Sequence, residues 1–216
     1  HYLRRFRKAA RSGTEMPEGR RVSATELADA LPSFDAGWAA RADRIAVLRK
    51  LLRGKGGEAL SAAAATDFGP LDLPGPTGEA NTLTLVPRGR VLCLGPDAET
   101  LLSQTIQALA AGNTVLAVAP GAPAALHPLL GKEFPIAAID GRPDPVEARA
   151  LAVDAVAHSG GDRGMRLTRQ VIAQHNGAIV PLISEVIYPA GYAHERSVCV
   201  DTTAAGGNAS LLAGAG

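Results

Sequence analysis

Two short segments of the sequence have the glycines and the position that phosphate binding requires. Each follows an apolar run and opens a helix-like run, and in dinucleotide-binding folds the amides of such a turn hold the pyrophosphate. The segment at residues 94–99 has one glycine where that fold has three, and its Pro96 removes an amide donor. Carboxylates at Asp97 and Glu99 stand where a phosphate would lie. Because like charges repel, this segment is a poor anion site.

The second segment, residues 158–164, reads His-Ser-Gly-Gly-Asp-Arg-Gly and is the better candidate. Its Ser159 and Gly160 could contact an anion at a helix N-terminus. The same residues could also form an ordinary first helical turn. We take Ser159 and Gly160 as the candidate cofactor-binding residues and keep both interpretations open.

The sequence contains two cysteines, Cys93 and Cys199, which lie far apart in apolar, strand-like surroundings. We expect both to be buried thiols of a protein from a reducing compartment, and neither a disulfide nor a metal site. Cys199 has no evident base or oxyanion donor near it in the sequence, so it is not expected to act as a nucleophile. The sequence predicts no catalytic residue and no metal ligand.

Alternating strands and helices must position the two turns. From residue 90 onward, short apolar runs are separated by helix-like segments, which predicts a parallel sheet with helices on both faces. This is an α/β fold of the Rossmann-like, doubly wound type. The predicted strands are residues 91–94, 114–118, 134–139, 153–158 and 178–183, and the predicted helices are residues 99–111, 123–130, 144–151 and 162–174.

The preceding part of the chain is predicted to be helical. Helices are expected at residues 23–31, 35–52 and 58–66, with Pro32 and Gly54 ending the first two. A segment rich in proline and glycine then indicates a linker or extended loop before a strand at residues 81–86. The predicted organisation is an opening segment 1–19, a helical region 20–67, a linker 68–82, a Rossmann-like domain 83–193 and a tail 194–216.

Charge and hydropathy argue against two classes of function, membrane spanning and nucleic-acid binding. No apolar run approaches the length of about 18 residues that a membrane span needs, and no signal-peptide pattern is present. The first residue is His1 and not methionine, so we expect a segment of a longer chain or a processed product. Residues 1–55 carry 13 Lys/Arg against 6 Asp/Glu. Aromatic residues do not interleave these charges, so a solvated or docked helical face is favoured over nucleic-acid binding.

The tail is expected to seek the edge of a sheet. Val198 and Val200 alternate with polar residues as in a strand, and small residues follow at 204–209. A short strand followed by a glycine turn is not stable alone, so it must join a sheet in its own domain or in another. The alternative is a frayed terminus.

Several segments resemble the cofactor-binding domain of the aldehyde dehydrogenase superfamily in order and spacing. They are Pro87-Arg88-Gly89, residues 107–115, Ser159-Gly160 and residues 181–185. The resemblance implies a fold like that of this cofactor-binding domain. The positions at which the sequence departs from the family are those that bind the cofactor or surround the general base. Residues 119–122 read Ala-Pro-Gly-Ala where that family has a Lys-Pro-x-Glu turn for the adenosine ribose, and no Gly-Gly follows Glu185, which falls at the position of the family's general base. The domain carrying the family's catalytic cysteine is not included in these 216 residues.

The tail at residues 195–212 closely resembles the C-terminal motif of the proline utilization A proteins, bifunctional bacterial enzymes of proline catabolism. Residues 73–83 and 87–92 resemble the extra C-terminal domain of the long members of that family, and residues 1–6 resemble the end of the preceding dehydrogenase domain. The resemblance covers nearly the whole chain.

This resemblance implies a non-catalytic domain that covers and stabilises the substrate-channelling tunnel of the upstream catalytic domains. FAD and NAD are then expected in the full-length protein, with none bound by this segment. The expected partners are the upstream domains of the same polypeptide in the cytoplasm, with homo-oligomerisation possible. The alternative is an NAD-binding dehydrogenase domain that has kept nucleotide binding. The residues expected to make the contacts are Arg196, Asp201, Thr202, Thr203, Gly206, Gly207 and Asn208.

The same resemblance implies that the edge strand with which the tail pairs belongs to an upstream domain outside this sequence. We therefore expect the tail to be poorly anchored within the chain itself.

Overall fold

The computed structural model describes residues 19–131, 134–143 and 151–201. The helices are α1 (Ala24–Ala30), α2 (Ala36–Ala40), α3 (Arg44–Leu52), α4 (Gly57–Ala65), α5 (Ala98–Ala110), α6 (Ala122–Ala125) and α7 (Asp162–Ile172), with a 3₁₀ turn at Pro189–Tyr192. The strands are β1 (Arg21–Val22), β2 (Pro70–Leu73), β3 (Glu79–Pro87), β4 (Arg90–Cys93), β5 (Thr114–Ala119), β6 (Ile136–Asp140), β7 (Arg142–Pro143), β8 (Ala155–Ala157), β9 (Leu182–Ile183) and β10 (Ala193–Asp201).

A five-stranded sheet in the order β6-β5-β4-β8-β9 forms the centre of the fold. All its neighbouring strands are parallel. β4 and β5 are almost fully buried, as a parallel sheet covered on both faces requires. The prediction of a doubly wound α/β domain is confirmed, and the five predicted strands all exist with shorter or shifted ends. The predicted helix at 144–151 lies almost entirely outside the described residues.

Each face of this sheet has its own hydrophobic core. One core brings Trp38, Leu48 and Leu60 of the N-terminal helices against α5 and the sheet. The Trp38 indole donates a hydrogen bond of 2.9 Å to the Leu109 carbonyl, and its ring meets Phe134 edge-on at 5.0 Å between centroids. The core on the other face includes Leu27 of α1. The helical region therefore packs directly on the sheet, on both faces.

The predicted helix at residues 35–52 is wrong in one respect, because it is two helices. It breaks after α2, where Arg41 adopts an extended conformation. The Arg44 guanidinium donates to the carbonyl oxygens of Ala39 and Arg41 at the break and to that of Ala110 at the end of α5. These bonds satisfy the carbonyls at a helix end and explain the break, since residues 41–43 contain neither proline nor glycine.

A second, antiparallel sheet contains three strands in the order β10-β3-β2. β10 pairs with β3 over nine residues, from Ala193 opposite Pro87 to Asp201 opposite Glu79. The expectation that the tail would be poorly anchored within the chain is therefore wrong for residues 193–201. The segment 68–82, predicted as a linker, contains β2 and the start of β3. Residues 202–216 lie outside the described part of the chain.

One side chain fixes the place where this second sheet leaves the core. Asn113 is fully buried, accepts a hydrogen bond of 3.0 Å from the Gly89 amide, and donates to the Ala108 and Tyr192 carbonyls at 3.0 and 2.8 Å. Gly89 follows β3 and Tyr192 precedes β10, so the amide holds the roots of both strands.

Replacing Asn113 with alanine should lower the free energy of unfolding by about 1–3 kcal/mol, because buried peptide groups lose their partners. Asn81→Ala is the matched control, since Asn81 makes a single exposed 3.3 Å side-chain bond to Glu79. It should cost no more than about 0.5 kcal/mol. Urea unfolding of both variants measures the difference, and equal losses would contradict the anchoring role of Asn113.

Candidate functional site

The two candidate phosphate turns meet at one edge of the parallel sheet. β4 and β8 are neighbours, and the turns follow their carboxyl ends. In doubly wound sheets this is where chain order reverses and where ligands bind. The Ser159 amide donates to the Gly95 carbonyl at 3.2 Å, and the Leu94 amide to the Ala157 carbonyl at 2.9 Å. The structure thus brings both predicted segments together.

A fully buried glutamine closes the space between the turns. Gln104 of α5 accepts a bond of 3.0 Å from the Gly95 amide and donates one of 3.2 Å to the Ser159 hydroxyl. The amide and hydroxyl that could have met a phosphate are therefore engaged by the protein itself. Asp97 caps α5 by accepting from the amide and hydroxyl of Thr100, which keeps a carboxylate at the helix start.

The glycines of the second turn accommodate the chain's own imidazole. A Cβ atom on Gly160 would lie 2.5 Å from Nε2 of His158, and one on Gly164 would lie 3.3 Å from its Cε1. His158 Nδ1 also lies 2.7 Å from the Thr168 hydroxyl. Burial lowers the pKa of His158, and the charge of Arg142 acts in the same direction. A neutral imidazole packed on these glycines explains Gly160 without a ligand.

Cys93 and Glu185, two further groups that could do chemistry, lie outside the two turns. Cys93 is buried, as predicted, and burial raises the pKa of its thiol. The Glu185 carboxylate accepts bonds from the amide and hydroxyl of Ser184. Among the described residues, no group of three or more His, Cys, Asp or Glu side chains could hold a metal ion. In the same residues, no helix is long and apolar enough to cross a membrane.

Cys199 is exposed on β10, so the expectation that it would be buried is wrong. The cause is its position on an edge strand of a sheet that does not pack on the core. The pKa of the Cys199 thiol is raised, first by partial desolvation and then by the carboxylates of Glu79 and Asp201. A raised pKa leaves less thiolate, so the group is not activated as a nucleophile.

The antiparallel sheet carries a row of leucines on one face, of which Leu71 is exposed and the others are half-buried. Opposite residues of paired strands project to the same face, so the register places four leucines together. None of them belongs to either hydrophobic core or is among the half-buried side chains packed against one. We call this the leucine face, and it comprises Leu71, Leu73, Leu83 and Leu85.

The contact residues predicted in the tail are only partly described. Arg196 lies opposite Thr84 and Asp201 opposite Glu79, so the register sends their side chains to opposite faces of the sheet. Thr202, Thr203, Gly206, Gly207 and Asn208 lie outside the described residues. Sequence reasoning missed the leucine face, although the alternation Leu-x-Leu at residues 71–73 and 83–85 signals it.

Sequence comparison identifies the relatives of this chain. It is 40% identical to the bifunctional protein PutA of Salmonella typhimurium over 149 residues, which are 65% of this chain and 11% of that protein. The bifunctional protein PutA of Escherichia coli is 39% identical over 149 residues, with the same coverage. The chain is homologous to the C-terminal region of PutA. No protein-family model matches it.

The chain spans about a tenth of the length of these PutA relatives. Solved structures confirm the fold. A proline utilization A variant from Bradyrhizobium japonicum aligns with a TM-score of 0.57 at 21% identity, over 85% of this chain and 24% of that one. An NAD-dependent benzaldehyde dehydrogenase from Corynebacterium glutamicum aligns with a TM-score of 0.58 at 17% identity, over 81% of this chain and 48% of that one. The expected similarity in fold to an aldehyde dehydrogenase is confirmed.

The two thiols should differ sharply in reactivity. Cys199 should be alkylated by iodoacetamide in the folded chain, and Cys93 only after unfolding, since Cys93 is fully buried. The raised pKa of Cys199 should make its reaction at pH 8 slower than that of free cysteine, because less thiolate is present. Peptide mass spectrometry over time measures both rates. Alkylation of Cys93 in the folded chain, or faster reaction at Cys199 than at free cysteine, would contradict the structure.

Proposed function

We propose that this chain is a non-catalytic domain of a bifunctional proline-catabolic enzyme. In this proposal its antiparallel sheet docks on the upstream dehydrogenase domains of the same polypeptide and covers the passage between their active sites. The observation that carries the proposal is the leucine face, an apolar surface on a sheet that packs on neither core. A sheet of few strands needs a packed face for stability, so a partner surface is required.

The tail supports this role by building the docking surface. Without β10, β3 would pair only with the four-residue β2. Adding β10 gives β3 a partner along its whole length, so the tail stiffens the strand that carries Leu83 and Leu85. β10 thereby stabilises the leucine face, although that face is formed by residues more than a hundred positions earlier in the sequence.

The contacts at the switch point of the parallel sheet support a role in which this chain catalyses no reaction. Gln104 engages Gly95 and Ser159, and His158 packs on Gly160. FAD and NAD then belong to the upstream domains, and the whole enzyme would act on proline in the cytoplasm. For the alternative of retained NAD binding, titration calorimetry with NAD⁺ provides the test. Saturable binding that is lost in Ser159→Ala would favour that alternative.

The docking proposal predicts a difference between two matched substitutions. Leu71 and Val200 are each 52% exposed, and the register places them on opposite faces of the same sheet. In the full-length polypeptide, Leu71→Ser should weaken docking about tenfold, since burying a leucine contributes about 1.5–3 kcal/mol. The conversion of proline to glutamate should then show a lag, while each dehydrogenase assayed separately keeps its rate.

Val200→Ser is the control and should leave the coupled reaction unchanged. Deleting residues 196–216 should act like Leu71→Ser, because β3 loses its partner strand. Coupled kinetics that are unchanged by both Leu71→Ser and the deletion would rule out the docking function.

A further inference from the structure

An open cavity of about 320 Å³ lies at the other end of the parallel sheet, away from the switch point. Its walls come from the starts of β4 and β8, the loop between α7 and β9, and the first residues of β10. The residues that matter for its chemistry are Arg88, Arg90, Asp154, His175, Val180 and His194.

The one carboxylate among these residues is already committed to Arg90. Asp154 Oδ2 accepts a bond of 2.7 Å from the Arg90 amide and lies 3.7 Å from its Nε. Gly89 permits this approach, since its φ of +129° and the 2.3 Å between an added Cβ and Asp154 Oδ2 exclude any side chain there. The Arg90 charge is thus neutralised within the wall.

Arg88 remains as an uncompensated charge. Its Nε donates to the Gly191 carbonyl at 2.7 Å, which orients the guanidinium. Its two terminal nitrogens have no hydrogen-bond or ion-pair partner in the part of the chain that the structure describes. Burial lowers the pKa of Arg88, which reflects the cost of holding this charge partly out of water. An anion would offset that cost.

Two imidazoles complete the lining. His194 is exposed at the start of β10, and His175 is half-buried just after α7. Apolar Val180 is buried beside them. Imidazole nitrogens and guanidinium N–H groups together are the donors that carboxylates and phosphates accept from.

We propose that this cavity binds a small oxyanion, a carboxylate or phosphate, held by the terminal nitrogens of Arg88 with His175 and His194 at its sides. The cavity matches the lower end of the range for small-molecule sites, about 300–1,000 Å³. The guanidinium offers two parallel N–H groups, which suits the paired oxygens of either anion. The site is separate from the nucleotide position of the fold and from the leucine face.

The test uses the imidazole NMR signals of the full chain, which has five histidines. Titration with succinate and with inorganic phosphate at constant ionic strength should shift the His175 and His194 signals along a saturable curve. The His127 and His158 signals should stay in place, because those residues do not line the cavity. Saturation with one anion only would assign the site to that anion.

Arg88→Gln should weaken binding at least about tenfold, because the charge-assisted bonds are lost. Arg163→Gln, a substitution on the exposed start of α7, is the control and should bind as the unaltered chain does. Because Arg88 also holds Gly191, exposed His194→Gln provides a second variant, which should bind more weakly at an unchanged melting temperature. Shifts that never saturate, or equal affinities in Arg88→Gln and Arg163→Gln, would overturn the proposal.

Discussion

The amide group of Asn113 connects the two halves of this fold. It lies just beyond α5 and bonds to the last turn of that helix, to the amide of Gly89 and to the carbonyl of Tyr192. The antiparallel sheet leaves the core between Gly89 and Tyr192, so its direction depends on this side chain. Arg88 adds a second tie through the Gly191 carbonyl. In the docking proposal, the leucine face keeps a defined orientation because its root is fixed in this way.

Two glutamines of helix α5 hold distant backbone segments in the same way as Asn113 does. Gln104 and Gln107 are fully buried, and each bonds to backbone groups of distant loops. Gln104 joins the turns at the switch point, while Gln107 holds the segment at Val186 and Tyr188. Buried amides with satisfied hydrogen bonds position loops well, but they also occupy polar groups that a cofactor would use. At the switch point, the amide of Gly95 and the hydroxyl of Ser159 therefore already have partners within the chain.

The parallel sheet could be predicted because its strands are short, apolar and regularly separated by helices, so local pattern and tertiary structure agree. The break in the predicted helix at residues 35–52 could not, since it depends on Arg44 reaching the Ala110 carbonyl, 66 positions away in sequence. The pairing of β10 with β3 also joins residues more than a hundred positions apart. The alternating pattern of β10 indicates that it pairs with another strand, but it does not indicate which strand. The same reason explains Cys199, whose apolar surroundings suggested burial although β10 packs on no core.

Docking of the leucine face is tested by the alkylation rate of Cys199 in two proteins, the chain of 216 residues and the full-length polypeptide. The register places Cys199 opposite Asn81, on the same face as the leucines. The docking proposal predicts that Cys199 is alkylated in the folded chain of 216 residues, although more slowly than free cysteine. In the full-length polypeptide that includes the upstream dehydrogenase domains, Cys199 should be strongly protected. The protection should fall about tenfold in Leu71→Ser, in line with the weaker docking, and stay unchanged in Val200→Ser. Equal alkylation rates in the short and full-length proteins would show that the leucine face does not dock on the upstream domains.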